Sequence, residues 1–186
     1  VSIYDPAAGS GTLVLTLAEQ IGEENCTVYT QDISQKSNEV LRLNLILNNL
    51  VDSLPHVMQD DTLVRPRHLA EDGKSIEKFD YIVSNPPFNT DFSETRDQLA
   101  GEGYQKRFFA GVPNVPKKKK ASMAIYQMFL QHIIVSMKEG KGKAAIVVPT
   151  GFLTAATGIP YKIRQHIVKH KLLRGVVSMP SNIFAN

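Results

Sequence analysis

The apolar run VSIY (1–4) stops at DPAAGSG (5–11), where Pro6, Gly9 and Gly11 break it, and beyond the break the period changes. Leu13, Leu17 and Ile21 recur at four-residue spacing with Val14 alongside, which predicts a helix from Thr12 to Ile21. CTVYT (26–30) then reads as a strand, being β-branched and aromatic. Strand, tight turn, helix and strand in that order constrain the chain severely, because a helical crossover joins parallel strands.

The same alternation continues. SQKSNEVLRLNLILNNL (34–50) is a long amphipathic helix with Ser34 as its N-cap, PHVM (55–58) a weak strand before QDDTL, and FDYIVS (79–84) a stronger one. SMAIYQMFLQHIIVSMKEG (122–140) is helical, with Tyr126, Phe129, Leu130, Ile133, Ile134 and Met137 on one apolar face. KAAIVVP (143–149) reads as a buried strand, Pro160 opens a short helix to about His170, and LLRGVVSMP (172–180) reads as another strand. Continuous apolar strands alternating with helices belong to a sheet covered on both faces. The expected fold class is α/β, a doubly wound, mostly parallel sheet.

Residues 89–121 show neither period and hold scattered aromatics and KKKK at 117–120. A segment that long without structure is a lid, a binding loop or disordered. The ends look cut, with Val1 inside a strand-like run and PSNIFAN just past another. Residues 1–186 are therefore expected to be one catalytic domain, a fragment of a longer chain.

Composition excludes more than it identifies. With 42% hydrophobic and 21% charged residues the chain reads as globular, and no stretch approaches the roughly 18–20 apolar residues of a membrane helix. The single cysteine, Cys26, rules out an internal disulfide framework and a cysteine-built metal site, and suits a reducing cytoplasm. A net charge of +3 is too small to diagnose a nucleic-acid partner. Of the five histidines only His166 and His170 have ligand spacing, with no third ligand in sight, so no metal is expected.

Ligands of such folds sit beyond the carboxyl ends of the strands. The glycines of DPAAGSG allow a sharp turn and close approach, but G-x-G-x-x-G is incomplete and Asp5 repels phosphate while attracting a cation. Asp32, after the second strand, can accept from both ribose hydroxyls. Asp61, or its neighbour Asp60, ends the third and can accept from an exocyclic amine. Adenosine at one end and a cation without phosphates at the other describe S-adenosylmethionine better than NAD. Each aspartate taken singly also serves as an ordinary turn cap.

The fourth strand ends in YIVSNPPFNT (81–90). Pro86 forces Asn85 into an extended conformation, and neither Pro86 nor Pro87 has an N–H. Carbonyls thus outnumber donors, and with the Asn85 side chain two acceptors can converge on one –NH₂ group while Phe88 stacks on its ring. Hydrogen bonds from both N–H groups favour a tetrahedral nitrogen with its lone pair free, which is the need of amino methylation.

DPAAGSG, the acid of YTQD, DDTL and SNPPF together resemble the ordered motifs of amino-methylating DNA methyltransferases. More closely, from Ile3 to Phe184, the chain resembles the modification subunit of type I restriction-modification systems. The resemblance implies a Rossmann-like S-adenosylmethionine-dependent methyltransferase fold. It places the cofactor at Asp5, Gly9, Gly11, Asp32 and Asp61, with Ala7, Ser10, Ile33 and Thr62 beside them. It also implies a flipped adenine of duplex DNA at Asn85, Pro86, Pro87 and Phe88, methylated at N6. Implied partners are a DNA-specificity subunit, a second copy of the chain and a restriction subunit. Relatives often carry Glu where Asp32 stands, and the family's helical N-terminal region and C-terminal tail are absent here.

Flipping a base out of the duplex is unfavourable by a few kcal/mol, which phosphate contacts must help offset. Lys106, Arg107 and Lys117, Lys118, Lys119 and Lys120, interleaved with aromatics, suit a DNA-facing loop, though a charge run also serves simply as solvated surface. An N-methyltransferase acting on RNA bases or protein glutamine shares the pocket logic, and a non-catalytic scaffold is the reading from another class. Asp5 and the incomplete glycine pattern argue against a dehydrogenase.

Overall fold

The computed structural model describes residues 1–180. Five parallel strands form one sheet in the order β3-β2-β1-β4-β5: β1 Ser2–Asp5, β2 Thr27–Asp32, β3 Val57–Gln59, β4 Tyr81–Ser84 and β5 Lys143–Ile146. From β1 the chain winds outward through β2 and β3, then returns to the other side of β1 for β4 and β5. The order therefore reverses between β1 and β4, and that is where a crevice opens in a doubly wound sheet.

Side-chain alternation along the strands sorts the core into two faces. Ile3, Val28 and Val57 pack with Val14 and Ala18 of helix α1 (Thr12–Ile21) and Leu41 and Leu45 of α2 (Gln35–Leu47). Their neighbours on the opposite face, Tyr4 and Ile82, pack with Phe79 and with Ile133 of α4 (Tyr126–Ser136). Full burial of each such aliphatic side chain is worth about 1.5–3 kcal/mol. Ser34 caps α2 as expected, its hydroxyl accepting from the Ser37 N–H at 3.2 Å.

Four expectations need correction. Helix α4 is shorter than the apolar period suggested and is buried nearly all round, Gln127, Met128, Gln131, His132 and Ser136 included. It is wedged between the sheet on one side and, on the others, the segment before it and α6 (Gly158–Lys169), which follows the short α5 (Gly151–Thr154) and whose Ile163 shares a core cluster with Leu130. Strand β5 is not buried: Lys143, Ala144 and Ala145 are exposed at the sheet edge. Residues 172–180 form no strand, and all are exposed, Val177 at 83%. A β-branched run without a partner has no ladder to join, and propensity alone does not make one. The resemblance beyond Pro180 lies outside the described residues.

The segment 89–121, without period in the sequence, is ordered. It carries α3 (Arg96–Leu99) and a 3-10 turn at Glu102–Tyr104, and a second 3-10 turn, Lys120–Ser122, begins at its end. Its Phe92, Leu99 and Phe108 share a core with Leu63, Met123 and Met128. Arg96 staples its far end, donating to the carbonyls of Pro113 and Val112 at 3.1 and 3.4 Å. Among the described residues no helix is long and apolar enough to cross a membrane.

Candidate active site

The glycine turn between β1 and α1 is held from both sides. Gly9 and Gly11 take positive φ, 53° and 86°. At Gly11 a Cβ would lie 2.1 Å from Leu41 Cδ1, so this glycine lets α2 close against the turn, whereas the space beside Gly9 is open. The Gly9 N–H donates to Asp32 Oδ2 at 2.8 Å, and Asp32 Oδ1 accepts from the Ser34 N–H at 2.8 Å. One carboxylate thus joins the turn after β1 to the start of α2. Ser10, exposed, accepts at its carbonyl from Asn44.

Asp5 stands behind this turn at 2% exposure. Its Oδ1 accepts from the Ala7 N–H at 3.0 Å and the Ser84 hydroxyl at 2.7 Å. Burial pushes the carboxyl up to about 7 and the nearby Asp32 charge adds to that, against the opposing pull of both hydrogen bonds. The sequence reading put Asp5 in contact with a cationic ligand; the structure places it in the second layer, holding the turn, because β1 carries it inward.

A cavity of about 590 Å³ opens at the carboxyl ends of the strands. Of the expected cofactor residues, Ala7, Asp32, Ile33, Asp61 and Thr62 are on its wall, while Asp5, Gly9, Ser10 and Gly11 are not. Asp60 and Asp61 are now distinguished. Asp60 pairs with Arg65 at 2.8 Å, whereas Asp61 faces the cavity, its Oδ1 accepting from the Leu63 and Val64 N–H groups at 2.9 and 3.2 Å. No described residue donates to the second oxygen of Asp61. Thr62 donates to the Pro6 carbonyl at 2.7 Å, closing the wall between the first and third strands.

The opposite wall comes from the segment after β4, in Thr90, Asp91, Phe92, Glu94 and Thr95, and from Ile125 and Phe129 at α4. The sequence reading missed these; their only signal was two acids directly behind the proline turn in an aperiodic stretch. Asp32, Asp61, Asp91 and Glu94 give the wall four carboxylates and no cationic side chain. Such a cavity repels phosphates and attracts a cation. The residues present fit a sulfonium nucleoside and do not fit a dinucleotide.

The proline turn reaches the same cavity through Pro87. Pro86 is buried, and Asn85 is half-buried with no partner for its side-chain amide among the described residues. Nor does any described residue donate to the carbonyls of Asn85, Pro86 or Pro87. Phe88 is 37% exposed and edge-on to Tyr126, 6.4 Å between centroids. Two backbone bonds fasten the turn to the start of α4: Tyr126 N–H to the Phe88 carbonyl at 3.5 Å and Thr90 N–H to the Met123 carbonyl at 3.0 Å.

Lys106 and Lys117–Lys120 are exposed, but Arg107 is not. At 7% exposure its guanidinium donates to the carbonyls of Thr62 and Leu63 and lies over the rings of Phe108 and Tyr104. This corrects its place in a DNA-facing set: the aromatics that flank it fold inward and take it with them.

The model of the family described as N-6 DNA Methylase matches residues 1–186. The chain is similar to the type I restriction enzyme MpnII methylase subunit of Mycoplasma pneumoniae, 28% identical over 98% of this chain and 33% of the relative. It is similar also to the MjaIX methylase subunit of Methanocaldococcus jannaschii, 27% identical over 100% of this chain and 31% of the relative. The chain thus spans about a third of the length of these curated relatives. The crystal structure of a type I restriction-modification methyltransferase subunit from Streptococcus thermophilus superposes with a TM-score of 0.70. It is 21% identical, covering 90% of this chain and 33% of that one, a likeness of fold. The fold is that of S-adenosylmethionine-dependent methyltransferases, and S-adenosylmethionine is the cofactor that fold, family and acidic cavity share. With the family matched from end to end, the chain belongs to the N-6 DNA methylase family.

Proposed function

We propose that this chain is the catalytic domain of a site-specific DNA methyltransferase that methylates adenine at N6 in duplex DNA, as the modification subunit of a type I restriction-modification system. The observation that carries the reading is the cavity itself. A single acidic space runs from the ends of β1–β3 to Pro87, with Asn85, Pro86 and Phe88 beside it in the same turn rather than on its wall. A cofactor in the cavity and an amine at the turn would therefore meet.

When bound, the cofactor supplies a methyl group activated by its sulfonium. The residues of this chain do the rest by position. Asp32 and the free oxygen of Asp61 would hold the ribose hydroxyls and an exocyclic amine, and the wall's negative charge would favour the cationic donor. The unpartnered amide of Asn85 and the free carbonyls at Asn85–Pro87 would accept both N–H bonds of the adenine amino group. Its lone pair is then turned out of the ring's conjugation and toward the methyl. Phe88, 37% exposed, would stack on the flipped base. No strong base is required, since alignment and electrostatics supply most of the acceleration. The partners proposed are a specificity subunit that reads the DNA sequence, a second methyltransferase copy and a restriction subunit.

The test is methyl transfer from labelled S-adenosylmethionine by the full-length protein with its co-encoded partner, offered DNA, RNA and protein in parallel. Label recovered as N6-methyladenine in DNA, and lost in Asn85→Ala, is the expected result. Label on RNA or protein overturns the substrate, and cofactor binding without any transfer overturns catalysis.

A further inference from the structure

Arg107 is a buried cation without a carboxylate partner, an expensive arrangement that a protein keeps only when something holds it. Burial lowers its pKa to about 10, so it remains charged at neutral pH. It forms no ion pair among the described residues. Instead its guanidinium carbon lies 4.4 Å from the Phe108 ring centroid and 5.2 Å from that of Tyr104, and its N–H groups donate to the carbonyls of Thr62, at 3.2 Å, and Leu63. The neighbouring Tyr104 hydroxyl donates to the next carbonyl, Val64, at 2.9 Å.

Thr62 and Leu63, whose carbonyls Arg107 grips, both line the cavity, and Thr62 passes the connection to Pro6 through its own hydroxyl. The segment that carries Arg107 also supplies the opposite wall through Phe92. The guanidinium therefore ties the two walls together, beside the Tyr104–Val64 hydrogen bond and the apolar core that Phe92, Leu99 and Phe108 share with Leu63. We infer that Arg107 is a positioning residue for the cofactor: it docks the 89–121 segment onto the Asp61–Val64 stretch, and so sets the width of the cavity and the aim of Asp61. The inference rests on the methyltransferase reading. The geometry asks for arginine, because only a planar fork reaches two successive carbonyls while lying on aromatic faces, whereas an ammonium reaches one.

The experiment compares the full-length protein with Arg107→Gln and Arg107→Lys in two assays. One is trypsin cleavage at the exposed Lys117–Lys120 run, with and without S-adenosylmethionine; such cleavage follows the population of the undocked segment. The other is methyl transfer over a range of cofactor concentrations. In the wild type the cofactor slows the cut. In Arg107→Gln the cut is roughly ten- to a hundredfold faster, as losing one charge-assisted hydrogen bond implies, and protection needs about tenfold more cofactor. KM for S-adenosylmethionine rises about tenfold in that variant with kcat within about twofold, and Arg107→Lys, which folds if Gln does not, lies between. Unchanged cleavage overturns the inference, and so does faster cleavage without a change in KM, which makes the clamp a matter of folding alone. A wild type that binds no S-adenosylmethionine overturns the methyltransferase reading together with it, while a wild type that binds and an Arg107→Gln that binds equally well overturn the inference only.

Discussion

The Ser84 hydroxyl donates to Asp5 Oδ1 at 2.7 Å, between the last residue of β4 and the last of β1. Both side chains are buried, at the point where the strand order reverses. Asn85 follows the first and the glycine turn follows the second, so this one bond ties the glycine turn to the proline turn. On its other side the Ser84 carbonyl accepts from the Val147 N–H at 3.1 Å, leaving the residue before Asn85 little freedom.

Stability should fall between about pH 4 and pH 7 through Asp5. Its folded pKa, raised to about 7, lies above the ordinary carboxylate value, so the fold favours the protonated form. That contribution is complete below the ordinary value and is lost as pH rises through the folded one. Asp5→Asn keeps an acceptor for Ala7 and Ser84 but cannot ionise. Its chemical-denaturation stability should exceed that of the wild type by roughly 2–4 kcal/mol more at pH 8 than at pH 4. Parallel curves for the two proteins would show that burial does not govern this carboxyl.

Gly9 and Gly11 should respond differently to alanine. Both substitutions place a side chain at positive φ, a loss of about 1–2 kcal/mol. Only at Gly11 does the new methyl strike the fully buried Leu41, which adds about 1–3 kcal/mol of overpacking. Urea titrations should therefore rank Gly11→Ala as the less stable. Equal losses would mean that Leu41 moves aside freely.

The contrast between what the sequence disclosed and what it hid has a physical basis. Helix α1 covers the residues whose spacing announced it, and β1, β2 and β4 follow their apolar runs, because pattern and environment agree there. Position after a strand also located Asp32 and Asp61, since topology puts such residues at the sheet's open end. Burial of α4 nearly all round was not legible, because its polar residues find partners remote in sequence: Gln131 accepts from the Ala110 N–H, and His132 meets the Tyr4 hydroxyl through Nε2 while its buried Nδ1 has no partner among the described residues. Nor was the inward turn of Arg107, whose neighbours Phe108 and Lys106 suit a core and a surface equally. Asp5 was placed by its motif but not by its depth.

Asp32→Ala should act on the cofactor and the turn together. The variant loses the acceptor of both Gly9 and Ser34 N–H groups and a wall carboxylate. Each carboxylate oxygen keeps a further lone pair for ribose, so removing the group should weaken S-adenosylmethionine binding at least about tenfold, while the lost hydrogen bonds reduce stability by about 1–3 kcal/mol. Calorimetric titration reads the first and a thermal melt the second. Unchanged affinity with reduced stability would leave Asp32 a structural tie and put the ribose contact elsewhere.

The exposed lysines, unlike Arg107, are free to meet phosphate. If Lys106 and Lys117–Lys120 each neutralise one, the slope of log affinity for duplex DNA against log salt steepens by about 0.9 per lysine. Replacing Lys117–Lys120 with alanine should then flatten the slope by about 3–4 and weaken binding for any DNA sequence alike, because phosphate contacts carry no base information. Salt-series binding by the full-length protein with its partner reads this directly. Those lysines line no part of the acidic cavity, so kcat at saturating DNA should stay within about twofold. A slope that does not change assigns the run to solvated surface, and the phosphate contacts must then come from residues outside it.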